Sequence, residues 1–272
     1  MNSASGIGYG LPDGYRPRWP VEYYVASSDR VRLQTWQADV YRAASDAMTI
    51  LGSERLIDIG CGSGEKSMRY SGGNCIGIEY GDNVDECRQN FPTGDWRAFD
   101  LDESDDPPAS ASELGKSVVI SSDVIEHLQF PERLLSMVSK CLKNAPLAII
   151  STPDRALTSG AGHMGPPLNP AHAREWTATE MLELLRESGF VHGVLTWTRP
   201  EDLSNAATTT TVFLSNSAAM LDQLGLIASP VHGLVLAPPR LPQKYSRIAA
   251  GSSSFRRQLR RAQLRAIGRR PV

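Results

Sequence analysis

The chain has 272 residues, 41% of them hydrophobic, with 28 Lys and Arg against 30 Asp and Glu for a formal charge of −2. That is enough chain for one domain of ordinary core size with extensions, and no apolar run approaches the roughly 18 residues of a membrane span. The start MNSASGIGYG lacks the basic and apolar regions of a secretory signal, so the sequence predicts a soluble, cytoplasmic protein.

Charge is unevenly spread: the balance is −12 up to Asp222 and +10 after it, where no acid follows. Cys61, Cys75, Cys87 and Cys141 fall singly, without the pairing of a zinc site or a disulfide framework, and read as buried or half-buried free thiols.

In chain order, residues 1–29 are rich in Gly, Pro and Tyr and read as an extended arm. Its aromatics Trp19, Tyr23 and Tyr24 either pin the arm to the domain or cover an acceptor pocket. From Arg30 to Leu51 apolar residues (Val31, Trp36, Val40, Ala44, Met48) recur at helical spacing, between Ser28 and Asp29 as caps and Gly52 as a stop. The next stretch, RLIDIGCGSG over Arg55–Gly64, is a short buried strand that ends in a turn. Gly60, Gly62 and Gly64 let its backbone lie against a ligand before a helix begins near Glu65. A dinucleotide fingerprint would place its third glycine where Glu65 stands, and the acid Asp58 suits a cationic ligand better than a pyrophosphate.

Strands then alternate with helices: strand 74–79, helix 83–91, strand 95–100, strand 117–121, helix 131–142 and strand 147–151. Helices between strands imply a parallel sheet, with the strand C-termini on one edge. Asp58, Glu79, Asp100 and Asp123 each fall at or just past such an end. Glu79, 21 residues after Asp58, is placed for ribose hydroxyls or, alternatively, as a cap of the next helix. Asp100 would approach an adenine amino group, with Phe99 or Leu101 against the ring, and Asp102 competes for that role.

The segment ISSDVIEHLQFPERLL, Ile120–Leu135, puts Asp123, Glu126 and His127 on the turn leaving a strand. His127 suits a general base near neutral pH, although Glu and His at such a turn also serve to orient the loop. The polar connection from Ser151 to Phe190 is too long for simple linkage and reads as a lid or acceptor-binding segment. Thr177 and Glu180 form a capping box within it, which sets Trp176 at a defined entry point and holds His172 and Glu175 close to the site. Strands 191–197 and 208–214 close the domain.

The acid, Ile, G-x-G-x-G pattern resembles the first motif of class I S-adenosylmethionine (SAM) dependent methyltransferases. The DVIEHL and H-x-x-EWT segments are similar to the type 11 and type 23 methyltransferase group. The resemblance covers roughly residues 30–216, with 1–29 as the arm and 217–272 as a C-terminal extension with a basic tail. It implies an α/β, Rossmann-like, seven-stranded and mostly parallel sheet with an antiparallel last strand and helices on both faces. It implies SAM bound by Asp58, Gly60, Cys61, Gly62, Gly64, Glu79, Tyr80, Asp100, Leu101, Ser122 and Asp123, with His127, Glu126 and His172 catalytic and no metal.

Likeness of the EYY…WQADVY, DVIEHL and EWT segments to enzymes of surface-glycan pathways points to a small-molecule or glycan acceptor, with O-methylation of a sugar hydroxyl. An alternative is a metal-assisted O-methyltransferase acting on RNA termini or phenols. Asp123, Glu126, His127 and His172 partly match an E-x-x-E-H run plus a later His, with Asp shortening the first arm. Another is a non-catalytic partner with the same fold, against which the intact Asp58, Gly60, Gly62 and Glu79 argue. Ser254–Arg270 carries Phe255, Leu259, Ala262, Ala266 and Ile267 at helical spacing among arginines. It reads as a solvated tail or as a weak contact with an anionic membrane surface, nucleic acid being the less favoured partner.

Overall fold

The structure, a computed structural model, describes residues 9–21, 35–201, 204, 206–225 and 229–230. Tyr23, Tyr24, the expected helix start at Arg30 and the basic tail lie outside the described residues. The elements are α1 (Ala38–Leu51), β1 (Arg55–Ile59), α2 (Glu65–Ser71), β2 (Cys75–Glu79), α3 (Asp82–Asn90), β3 (Asp95–Ala98), α4 (Ala111–Leu114) and β4 (Ser117–Ser122). They continue with α5 (Pro131–Cys141), β5 (Leu147–Pro153), α6 (Ala178–Glu187), β6 (His192–Thr198), β7 (Thr209–Ser215), α7 (Ala218–Gln223) and β8 (Ser229–Pro230).

The sheet runs β3-β2-β1-β4-β5-β7-β6-β8. Strands β1 to β5 pair in parallel, while β7 pairs antiparallel with both β5 and β6. Six of the seven main strands therefore share one direction and β7 opposes them, as expected. The two-residue β8, which pairs with His192 and Gly193, was not anticipated.

Both sheet faces are covered, which is why the strands are nearly continuous apolar runs. Alternate residues point to opposite faces. Ile57 and Ile59 pack with α5 and α6, whereas Leu56, Val118 and Ile120 pack with α1, α3 and α7. Pro131 at the first turn of α5 supplies a preset φ where no N–H is needed. No helix among the described residues is long and apolar enough to cross a membrane.

Two expected boundaries move, and one helix is added. Gln37 takes a left-handed conformation that breaks the helix there, so α1 starts at Ala38 and Trp36 lies outside it. Strand β3 ends at Ala98, with Phe99 N still donating to the Glu79 carbonyl, and the chain then turns at Asp100, whose carbonyl accepts from Glu103 and Ser104 N–H. The short α4 forms inside the supposed polar loop, held by a capping box between Ser110 and Glu113.

Candidate cofactor and methyl-transfer site

The glycine turn leaves β1 at the C-terminal edge of the sheet. Gly60, Gly62 and Gly64 have φ of 76°, 59° and 73°. They are not equivalent. A Cβ on Gly60 would collide with the side chain of Val124, and one on Gly64 would lie 2.5 Å from Trp96 Cη2, whereas at Gly62 it would meet nothing within 4 Å. Gly60 and Gly64 serve packing, and Gly62 leaves the approach to the turn open.

Beneath the turn Asp58 is wholly buried. Its Oδ2 accepts from Tyr41 Oη at 2.9 Å and Ser67 Oγ at 2.6 Å, and its Oδ1 has no partner. Burial raises its pKa against these two donors and the nearby Lys66. Lys66 donates to the Trp36 carbonyl at 3.1 Å and lies 4.7 Å from the Tyr41 ring centre, and burial lowers its pKa.

Glu79 ties β2 to the turn: Oε2 accepts from Gly62 N at 2.6 Å and Oε1 from Tyr80 N at 2.9 Å. Burial pushes its carboxyl up to about 7 despite those bonds. Tyr80 is 49% exposed at the same edge. Asp100 accepts from Asp102 N, while Asp102 spends its own carboxylate on the N–H groups of Gln129 and Phe130, at the entry to α5. The competition between the two acids is thus resolved by geometry, since Asp102 braces a loop.

Two expected ligand contacts go instead to the core. The Cys61 side chain is buried among the apolar residues, its N–H donates to the Ile78 carbonyl and its own carbonyl accepts from Gly64 N, so no polar group is left over. Leu101 is buried against the other face. Ser122 is occupied by Ser151, Oγ to Oγ at 2.9 Å. Asp123 is brought to the strand end and held there by three donors, Trp36 Nε1 at 3.2 Å, Gln37 Nε2 at 2.5 Å and Ser151 Oγ at 2.8 Å.

After β4 a single turn, Ile125–His127, carries the next pair. Glu126 is fully buried, with Oε2 accepting from Thr152 Oγ1 at 3.0 Å and Oε1 unpartnered. Burial, and then the Asp123 charge, raise its pKa well above the ordinary carboxylate value. His127 Nδ1 donates to the Ala171 carbonyl at 2.8 Å, and burial followed by the neighbouring His172 pushes its pKa down to about 3. A ring shifted this way is a weaker base than an ordinary imidazole, and its Nδ1–H is spent on the Ala171 carbonyl.

His172 packs edge-on to His127, with ring centres 4.7 Å apart. Its Nδ1 is 2.7 Å from Glu175 Oε1, and its Nε2 accepts from Asn169 Nδ2 at 2.9 Å. One ligand-capable atom from each of Glu126, His127 and His172 lies within 4.8 Å of the others, a group that does not include Asp123. The Thr177–Glu180 capping box is present, but Trp176 is fully buried and donates Nε1 to the Tyr9 carbonyl, so it anchors the loop in the core and does not stack at an entrance.

Over residues 29–192 the sequence matches the methyltransferase domain family Methyltransf_23. The chain belongs to that family. A probable S-adenosylmethionine-dependent methyltransferase of Mycolicibacterium smegmatis is 33% identical over 138 residues, 50% of this chain and 51% of the relative. One from Mycobacterium tuberculosis is 31% identical over 139 residues, 50% and 48% of the two chains. The chain spans about half the length of the curated relatives it matches. Among solved structures, a SAM-dependent methyltransferase of Thermotoga maritima described as a possible histamine N-methyltransferase aligns with TM-score 0.49 and 16% identity, over 70% of this chain and 94% of its own. The apo form of the SAM-dependent methyltransferase SibL aligns with TM-score 0.49 and 15% identity, over 70% and 55%.

The curated relatives are named as S-adenosylmethionine-dependent methyltransferases, and the residues around the glycine turn fit that cofactor. The open approach at Gly62 admits a ligand, and the unpartnered buried oxygen of Asp58 suits its cationic end. Residues that sequence reasoning missed are Tyr41, Ser67, Trp36, Gln37 and Thr152, which hold the acids, and Asn169, which holds His172. Tyr41 alone left a signal, since helical spacing puts it beside Val40 and Ala44 on the buried side of α1.

Proposed function

We propose that this methyltransferase transfers the methyl group of SAM to a hydroxyl of a sugar or glycan. The observation that carries the reading is the His172–Glu175 pair, set beside Glu126 and His127 at the sheet edge that also holds the glycine turn. SAM supplies an electrophilic methyl on a sulfonium. The chain's task is to hold an acceptor oxygen in line and to take its proton. Glu175 fixes the proton on His172 Nδ1, so the Nε2 lone pair receives the acceptor proton when the hydroxyl replaces the Asn169 amide. Glu126, whose pKa is raised by burial, sets its unpartnered Oε1 where it can hydrogen-bond the same hydroxyl. The sugar acceptor itself rests on the likeness of the WQADVY, DVIEHL and EWT segments. The cytoplasm is the compartment proposed with it, in keeping with four free cysteines.

A second reading is favoured by the grouping of Glu126, His127 and His172. Both imidazoles bond through Nδ1 to an oxygen, the arrangement that presents Nε2 to a cation. A divalent metal held there would lower the pKa of a phenolic or RNA-terminal hydroxyl. Labelled SAM offered with sugars, glycolipids, phenols and RNA, with and without chelator, separates the readings. Transfer to a sugar that survives chelation supports the first, and transfer lost to chelator and restored by a divalent ion supports the second. SAM binding with no transfer to any acceptor would leave only a non-catalytic partner.

A further inference from the structure

The arm from Tyr9 to Arg18 precedes the family-matched residues, which begin at 29. Even so, it is stitched along the loop that carries His172. Arg16 N donates to the Met164 carbonyl at 2.8 Å, Arg18 N to the Ala173 carbonyl at 2.7 Å, and the Arg18 guanidinium to the Pro167 carbonyl at 2.5 Å. In return, Glu175 N donates to Tyr15 Oη at 2.9 Å and Trp176 Nε1 to the Tyr9 carbonyl at 2.8 Å. The cations Arg155 and Arg174 lie over the rings of Tyr15 and Tyr9, at 4.8 and 4.6 Å. The fit is close, since a Cβ on Gly10 would come within 2.6 Å of the Glu180 carbonyl oxygen.

The loop's other side is fastened to the turn after β4. Ala173 N donates to the Glu126 carbonyl at 2.7 Å, and the Ala171 carbonyl accepts from His127 Nδ1. Residues 171–176 are thus held between the turn and the arm, and Ala173 is bonded on both sides. Between β5 and α6 the chain has only one helical turn, Ala156–Gly160, and an isolated bridge between Asp154 and Trp176, so its other backbone groups need partners from elsewhere, and the arm provides several. Glu175 is where the two sets meet: its backbone bonds the arm and its side chain bonds His172.

We propose that the N-terminal arm is a built-in part of the acceptor site and that Tyr15 is a positioning residue, acting through Glu175 on His172. This rests on the reading of His172 as the acceptor base. The Tyr15 hydroxyl fixes the Glu175 backbone, Glu175 fixes the imidazole, and SAM, bound at the glycine turn, does not sense the change.

The test uses full-length Tyr15→Phe, which keeps the ring under Arg155 and removes the hydroxyl. Its melting curve is checked first. Nitrogen NMR of the His172 ring, recorded without acceptor, should show shifted Nδ1 and Nε2 signals, while SAM affinity stays within twofold. With an accepted substrate, kcat should fall about tenfold, the loss of one neutral hydrogen bond's worth of positioning, and glutamate at position 175 should still be required. In the wild-type protein, the Glu175 amide should exchange with solvent as slowly as that of Ala173. Unchanged His172 signals in a folded variant, or rapid exchange at Glu175, would overturn the inference. Shifted signals with no methylated acceptor would uphold the arm's role and instead remove the proposed function.

Discussion

Gln37 and Asp123 both occupy the left-handed region of backbone space, at φ 55° and 53°, and the side-chain amide of the first donates to the carboxylate of the second at 2.5 Å. Each such residue costs on the order of 1–3 kcal/mol, and the surroundings must hold it. Here they do: Gln37 Nε2 also reaches Thr209 Oγ1 at 3.0 Å, and Trp36 and Ser151 complete the shell of Asp123. The entry of α1, the turn after β4 and strand β7 are fixed as one unit over the glycine turn.

Gln37→Leu removes the donor shared by Asp123 and Thr209 but leaves the backbone strain. Unfolding free energy should fall by about 1–3 kcal/mol, the cost of taking a buried donor from two acceptors, as read from urea denaturation. SAM affinity should fall with it, because Asp123 is no longer held at the site. A stability change under about 0.5 kcal/mol, the size of an ordinary surface substitution, would mean that the strain is supported elsewhere.

The three glycines of the turn should respond differently. Gly60→Ala sets a methyl against Val124 and should lower stability more than Gly62→Ala, which adds only the roughly 1–2 kcal/mol of a left-handed alanine. Gly62→Val should leave a folded protein that no longer binds SAM, since its side chain enters the open approach. Calorimetry on a variant whose melting curve is intact decides this, and binding within a few-fold of wild type would detach Gly62 from the cofactor.

The acids at the end of β3 divide in the same way. Asp102→Ala strips the acceptor from Gln129 N and Phe130 N and should cost about 1–3 kcal/mol of stability. Asp100→Ala removes a single bond to Asp102 N, so its main effect should be on SAM affinity. Paired denaturation and calorimetry would expose the reverse pattern at once.

The legible parts of the molecule were those whose cause is local. Alternation and buried runs placed the seven main strands, and the Thr177–Glu180 box could be read because both partners sit three residues apart. The glycine turn was legible for the same reason. Gln37 was not, since its left-handed conformation is held by a partner 86 residues away and no pattern in WQADVY anticipates it. The environment of His127 was not legible, since its pKa is lowered by burial and by the ring of His172, a residue 45 positions away in sequence. Trp36 was read as a helix-face residue, and it is a hydrogen-bond donor in front of the helix.

Glu79 makes a prediction about pH in which two effects oppose each other. Its folded-state pKa, about 7, is raised above the ordinary 4.5. The native protein therefore binds this proton more tightly than the unfolded chain does. The stabilisation is fully present below about 4.5 and is lost as pH rises through about 7. Without cofactor, the melting temperature of wild type relative to Glu79→Gln should decline from pH 5 to pH 8. On the proposed ribose role the charged carboxylate is the better acceptor, so SAM affinity should rise over the same interval and binding near pH 7 should release a proton. Calorimetry in two buffers of different ionisation enthalpy measures that proton directly. Glu79→Gln should release none, with affinity lower by about 1.5–3 kcal/mol as the charged acceptor is lost. Equal proton release by both proteins would assign the titration to another carboxyl, and unchanged affinity would leave Glu79 as a brace between β2 and Gly62.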